Sequence, residues 1–466
     1  MPTENLIIGG GPVATNAIET IRQFDQGASQ ITLVSDEPAH SRMALPYWLA
    51  GQIPRQQTHT ADDAYFRKLK VKPLVGVRVT RIDTAAKTAS CSDGTRLSFD
   101  HALIATGSTP VDLPIEGAKL PGVHHLWTLA DTEAVLKTAG DKARPRVVMI
   151  GSGFIGLIML NAMYKRRWDL AVVEREAHVL PRMVNADAAG IVHDWLGTKG
   201  IRLHFGTTAR RISLVNGARL VELADGQQLE ADLVIIATGV QPNVTLALEA
   251  GIKATGGVDG GIVVNDRMQT NVPHIYAGGD VAKGPVLFGN QPAVHAIQPT
   301  AVDHGRVAGA NMAGHDVRYD GSLAMNILDV CGLQCASFGN WSGSNTGAIT
   351  ICNVDHAVYR QLLFSDDQIT GALFIGRATD MGMLTDVGMV KGIMQTRTKL
   401  GQWKAFLQAN PFDIRRPYVA TKVAERLRNT TLTGRPSQPR QYQFADARKQ
   451  PAVGTSHQVY VGTRGS

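Results

Sequence analysis

Residues 146–174 read RVVMIGSGFIGLIMLNAMYKRRWDLAVVE, and this stretch decides the fold. Its first five residues are a short apolar run, the composition of a buried strand. Gly151-Ser-Gly153-Phe154-Ile155-Gly156 follows in the spacing G-x-G-x-x-G. Residues 157–165 contain no Gly or Pro and read as a helix. Residues 170–173 form a second apolar strand that ends in Glu174. Strand, glycine turn, helix, strand and an acid about twenty residues on make up the full context of a dinucleotide-binding unit. In such a unit Gly151 permits the tight turn. Gly153 lets backbone N–H groups approach a pyrophosphate at the positive end of the helix that Phe154 and Ile155 begin. Gly156 allows close packing of helix on strand. Glu174 is expected to accept the ribose hydroxyls and to repel the extra phosphate of NADP, favouring NADH, with Arg175 beside it blunting the preference.

The chain opens on a second such unit. Residues 5–8 are an apolar strand, and Gly9-Gly-Gly11-Pro12-Val-Ala14 follows as G-x-G-x-x-A. Residues 15–24 read as its helix, and residues 31–34 as the next strand, running into Ser35-Asp36-Glu37. Each unit cradles one pyrophosphate, so two bound dinucleotides are expected. The halves share more than the turn. Residues 74–82 and 88–99 alternate like strands, with Asp93-Gly94 as a turn. A buried strand then runs into Ala105-Thr106-Gly107. In the second half Asp225-Gly226 precedes Ala237-Thr238-Gly239, which makes an internal duplication.

Bulk properties narrow the class. The 466 residues suffice for two or three domains. Apolar content of 44% and charged content of 19% are ordinary for a globular protein. A net charge of +7 with no basic stripe interleaved with aromatics excludes a nucleic-acid footprint and leaves room for an acidic protein partner. Four Cys in this length fit a reducing compartment. With no charged region before residues 5–8, no signal peptide is expected. No apolar run is long enough to span a membrane, and a cytoplasmic location is expected.

After the second unit, an apolar strand delivers Gly278-Gly279-Asp280-Val281, and residues 300–313 read as a helix. The order GxGxxA, ATG, GxGxxG, ATG, GGD resembles the two-dinucleotide-domain flavoprotein reductases, which include the glutathione, rubredoxin and ferredoxin reductases and the NADH oxidases. The resemblance covers roughly residues 1–410. It implies an α/β fold of two Rossmann-like domains plus a C-terminal α+β domain that covers the flavin or forms a dimer. The FAD domain would comprise residues 1–112 and 255–320, the NAD(P)H domain residues 113–254, and the third domain residues 321–410. By resemblance, Gly9, Gly11, Pro12 and Ala14 hold the FAD pyrophosphate, and Asp36 or Glu37 takes the adenosine ribose with Arg42 nearby. Val79 contacts the adenine side through its backbone, and Thr106 and Gly107 line the cofactor. Asp280 holds the ribityl chain and Val281 lies near the ring. Gly239 joins Gly151, Gly153, Phe154, Ile155, Gly156 and Glu174 at the nicotinamide dinucleotide.

The resemblance also marks what is missing. Relatives that act on disulfides carry one or two Cys after the first unit. Here residues 40–51 read HSRMALPYWLAG, with Met43 about where the thiol falls. A thioether forms neither thiolate nor disulfide, which argues against disulfide reduction and sulfenic-acid peroxidase chemistry. Ferredoxin and rubredoxin reductases often have a Lys in this stretch and a Glu after Gly-Leu of the second fingerprint; counted along the chain, Tyr47 and Ile158 stand there. Losing both members of a buried pair avoids an uncompensated charge. Met43, Tyr47 and Ile158 are therefore expected near the flavin and nicotinamide.

Four further features remain. Cys331-Gly-Leu-Gln-Cys335, with Cys352 beyond, reads as structural thiols, because no His or Asp cluster completes a metal set. His295 lies before the helix after Asp280 and His304 within it; His304 is as consistent with packing as with a place near the flavin. In the third domain, residues 349–351, 357–364 and 371–375 read as strands and 380–394 as a helix whose Met381, Met383, Met389 and Met394 belong to core or interface. Residues 430–466, rich in Pro, Gln, Gly and Arg, read as an extended tail. The expectation is an FAD-dependent NAD(P)H oxidoreductase that passes electrons to a small iron–sulfur or rubredoxin-type protein. A flavin oxidase or reductase of a small molecule or O2, or a flavoprotein subunit of a larger redox complex, is the alternative, and the chain is expected to be a homodimer or such a subunit.

Overall fold

The computed structural model describes residues 2–343 and 347–429; the expected tail lies outside them. The first sheet is wholly parallel, in the order Ile275–Ala277, His101–Ile104, Glu4–Ile8, Gln30–Ser35, Val71–Val75. The second repeats the plan with Arg202–Phe205, Asp169–Glu174, Arg146–Ile150, Leu233–Ile236 and Val123–His124. Leu6, Ile7, Val147, Val148, Met149 and their strand neighbours are buried. Parallel strands covered on both faces read as continuous apolar runs, which is why these segments stand out in the sequence.

Each central strand feeds a glycine turn and then a helix, Pro12–Asp25 or Phe154–Lys165. A three-stranded antiparallel sheet hangs from each half, Val79–Asp83 to Ser98 in the first and Ala209–Val215 to Ala231 in the second. Asp93-Gly94 and Asp225-Gly226 are their turns, as the duplication implied. One expectation is corrected. Residues 74–82 are not one strand. Gly76, at φ +80°, breaks the run, so Val71–Val75 joins the parallel sheet and Val79–Asp83 starts the antiparallel one.

Beyond residue 320 lies a five-stranded antiparallel sheet, Met325–Val330, Leu333–Gly339, Gln368–Arg377, Val358–Ser365 and Ile349–Asn353 in spatial order. Helix Met381–Gln395 packs on it. Met383 and Met394 are core residues and Met389 packs against them, whereas Met381 at the helix start is 69% exposed. Helix Gln298–Met312 lies close along Pro12–Asp25. A Cβ at Gly305 would come 2.4 Å from the Val13 carbonyl oxygen, and one at Gly309 2.6 Å from that of Ala17. This contact ties the first glycine turn to the Gly278–Asp280 segment. No helix among the described residues is long and apolar enough to cross a membrane.

Candidate functional site

The two glycine turns are built alike. Gly9 has φ +110° and Gly151 φ +103°. A Cβ at Gly9 would sit 2.2 Å from the Ala105 carbonyl oxygen, and one at Gly151 2.4 Å from that of Ala237. Each turn is thus pressed against the Ala-Thr-Gly strand of its own half. Gly11 and Gly153 behave differently. Both are N-caps in extended conformation, neither has a side-chain cap, and a Cβ on either would meet nothing within 4 Å. The N-terminal ends of helices of 14 and 12 residues therefore border open space at Gly11 and Gly153, the arrangement that accepts a phosphate. Gly156 and Ala14 serve packing instead. A Cβ at Gly156 would come 2.9 Å from the Gly151 carbonyl oxygen, and Ala14 is fully buried.

One continuous cavity of about 1670 Å³ joins the turns. From the first half it is lined by Gly9, Gly11, Pro12, Asp36, Glu37, Arg42, Met43, Val79, Thr106, Gly107 and Asp280. Gly151, Gly153, Phe154, Ile155, Ile158, Glu174 and Gly239 line it from the second. Ala14, Gly156, Val281 and Tyr47 do not. Val281 is fully buried behind Asp280. Tyr47 is 52% exposed, because helix Leu45–Leu49 buries Leu45 and Leu49, one turn apart, and turns Tyr47 outward. Pro46, not Tyr47, lines the cavity beside Met43.

The halves are also stitched together. Each Ala-Thr-Gly turn feeds a short strand, and the two strands pair antiparallel, Val240 opposite Pro110 and Pro242 opposite Ser108. Thr106 Oγ1 donates to the Asn243 carbonyl at 3.0 Å, and Asn243 Nδ2 donates to that of Thr106 at 2.8 Å. Asp280 accepts from Ser108 Oγ at 2.8 Å and lies 3.5 Å from the Arg42 guanidinium. Arg42 stacks over Trp127, 4.5 Å from its ring centre, and Trp127 Nε1 donates to the Ser108 carbonyl at 2.7 Å. Ser108, Trp127 and Asn243 escaped the sequence reading. Ser108 follows Ala-Thr-Gly directly and was within reach of it; Trp127 has no motif around it. Asp36 pairs with Arg78 at 2.6 Å at the cavity rim.

Glu174 is buried at the end of its strand. Its Oε2 accepts from Ser152 N at 2.7 Å and Ser152 Oγ at 2.8 Å, and its Oε1 from Glu176 N at 3.0 Å. The first half has Ser35 at this register, whose Oγ donates to the Glu37 carbonyl, so its acids Asp36 and Glu37 lie past the strand end. Arg175 is turned to Glu176, at 2.8 Å. Arg182 also lines the cavity here, a residue the sequence reading did not single out.

His304 lies outside the cavity lining. It is 2% exposed, its Nδ1 accepts the Gly279 N–H at 3.2 Å, and it meets Tyr319 edge-on. Burial pushes its ring down to about 4, so at neutral pH it is an uncharged support for the Gly279-Asp280 turn. His295 bonds Ser322 Oγ, and burial lowers its ring as well. Cys331 and Cys335 are free and buried in the hairpin Met325–Val330 and Leu333–Gly339. Burial pushes the Cys331 thiol up to about 12 and the Cys335 thiol higher.

The pyridine nucleotide-disulphide oxidoreductase family model matches residues 3–305. An NADH oxidase of Methanocaldococcus jannaschii is 33% identical over 344 residues, 72% of this chain and 75% of that protein. The NADH-dependent phenylglyoxylate dehydrogenase subunit epsilon of Aromatoleum evansii is 27% identical over 89% of this chain and 96% of its own. The chain spans about half the length of two Bacillus subtilis relatives, an assimilatory nitrate reductase electron transfer subunit and a nitrite reductase, at 49% and 46% of them. The covalent putidaredoxin reductase–putidaredoxin complex shares the fold, with TM-score 0.79 and 24% identity over 90% of this chain and 99% of that one. The chain belongs to the pyridine nucleotide-disulphide oxidoreductase family, whose enzymes bind FAD and NAD(P)H.

Proposed function

We propose that the chain binds FAD at the first glycine turn and NADH at the second, and passes the electrons to a small iron–sulfur or rubredoxin-type protein. The observation that carries this reading is the single cavity joining two open helix N-termini, with no cysteine among the described residues that line it. The division into an FAD domain (residues 1–112 and 255–320), an NAD(P)H domain (113–254) and a third domain (321–410) belongs to the same proposal.

When bound, the flavin supplies two-electron uptake from a nicotinamide and one-electron release. The chain supplies placement. Gly11 and Pro12 open the first helix to one pyrophosphate, and Gly153 opens the second to the other. Asp280, fixed by Ser108 and Arg42, offers a carboxylate to ribityl hydroxyls. Met43, Pro46 and Ile158 give the cavity an apolar stretch of lining that offers no thiol to be oxidised. Glu174 sets the NADH preference by its charge, and its inward bonds hold that charge in place.

A second reading has one observation in its favour: the similarity to subunit epsilon of the Aromatoleum enzyme runs nearly end to end in both chains. On that reading the acceptor is a partner subunit. Steady-state assays test the proposal: NADH-dependent reduction of a [2Fe–2S] ferredoxin or a rubredoxin is expected, with no turnover of disulfides. Turnover with O2 alone would contradict it.

A further inference from the structure

Resting on the carrier-reducing reading above, we propose that a basic pocket at the far end of helix Phe154–Lys165 is the docking surface for an acidic electron-carrier protein. The pocket, about 770 Å³, lies where that helix, the start of strand Asp169–Glu174 and the end of helix Ala186–Thr198 meet. Arg144, Lys165, Arg166, Arg167 and Lys199 line it. Asp169, the one carboxylate among the described lining residues, is held by Arg202 at 3.1 Å. Arg144, Lys165 and Arg167 are exposed and form no ion pair among the described residues.

Part of this charge has an ordinary explanation. Lys165, Arg166 and Lys199 stand at helix C-termini, where cations offset the macrodipole. That does not account for Arg144 or Arg167, which are in loops. Like charges gathered without counter-charges repel, and the missing counter-charge points to a partner. A small anion is a poor candidate. Helix C-termini present carbonyls rather than N–H groups, so the backbone offers an anion nothing. Carboxylates on another protein's surface can be met by the long side chains.

The pocket is tied to the cofactor cavity by a short path. Arg166 Nε donates to the Leu49 carbonyl. Leu49 ends the helix whose first turn, Leu45 and Pro46, lines the cavity wall. Three residues of helix span about 4.5 Å. Tyr47 and Trp48 stand on this helix, Tyr47 facing outward. A carrier seated on the pocket would lie beside this short helix, whose first turn lines that wall.

The test uses the full chain with its flavin and compares the parent with Arg144→Glu/Arg167→Glu, which leaves the structural Arg166 alone. The probes are an acidic [2Fe–2S] ferredoxin and, as an uncharged acceptor needing no docking, menadione. Expected is unchanged NADH-dependent menadione reduction and about a tenfold fall in kcat/KM for the ferredoxin at low salt, with its salt dependence flattened. Equal ferredoxin rates and salt dependence in both proteins would overturn the docking surface. Failure of NADH to support menadione reduction would instead overturn the reading on which it rests. Calorimetric titration of oxidised ferredoxin at low salt then decides the surface by itself: about tenfold weaker binding to the variant supports it, and equal or absent binding to both proteins rejects it.

Discussion

Ser108 Oγ donates to Asp280 Oδ2 at 2.8 Å across 172 residues of chain. The bond joins the first Ala-Thr-Gly turn to the Gly-Gly-Asp turn, and Arg42 approaches the same carboxylate oxygen. Hydrogen bonds to a charged group contribute about 1.5–3 kcal/mol. Ser108→Ala is expected to lower the unfolding free energy by about that much and to loosen the cofactor. Asp280→Ala is expected to yield protein depleted of flavin. Denaturant titration and the visible absorbance per protein check the two.

The glycines separate folding from binding. Gly11→Ala and Gly153→Ala add a methyl to open space at φ −78° and −72°, so the fold is expected to hold while pyrophosphate binding is lost. Gly9→Ala and Gly151→Ala would drive a Cβ into backbone oxygen at positive φ and are expected to fail to fold. Thermal melts and dinucleotide titration of the four variants distinguish the classes.

His304 gives a pH dependence. Its ring is held at about 4 against an ordinary 6.5, so the unfolded chain takes up a proton the folded chain refuses. The stability this residue contributes is complete above about pH 6.5 and is lost as pH falls towards 4, by at most about 3 kcal/mol. His304→Asn can still accept from Gly279 N–H and is expected to flatten the fall. Denaturation curves at about pH 7 and about pH 5 read the difference.

All four thiols are free, and only Cys352 is exposed. Because burial raises the Cys91, Cys331 and Cys335 thiols, one native thiol is expected to react with a thiol reagent and four after denaturation. Cys331→Ser/Cys335→Ser is expected to keep flavin reduction intact.

Much of this was legible in the sequence, for identifiable reasons. Both Rossmann-like units announce themselves because buried parallel strands and phosphate turns tolerate few residue types. The pairing of Ala-Thr-Gly with the glycine turns is visible as a repeat, but its cause, the carbonyls of Ala105 and Ala237 pressed on Gly9 and Gly151, is a tertiary contact. Tyr47 shows the limit. Counting along the chain put it at the flavin, whereas the helical phase set by Leu45 and Leu49 turns it outward and brings Pro46 in. Trp127 and Asn243 act through bonds to distant backbone, which no local pattern encodes. His304 could be placed on its helix but not on the buried side of it.

In the proposed enzyme one cavity brings a flavin and a nicotinamide together without a thiol between them. Anaerobic titration of the purified flavoprotein with NADH, followed in the visible spectrum, tests it most directly. Bleaching of the oxidised flavin by one equivalent of NADH per flavin is expected, with no thiolate charge-transfer band, and a weaker response to NADPH. A flavin that stays oxidised under excess NADH would contradict it.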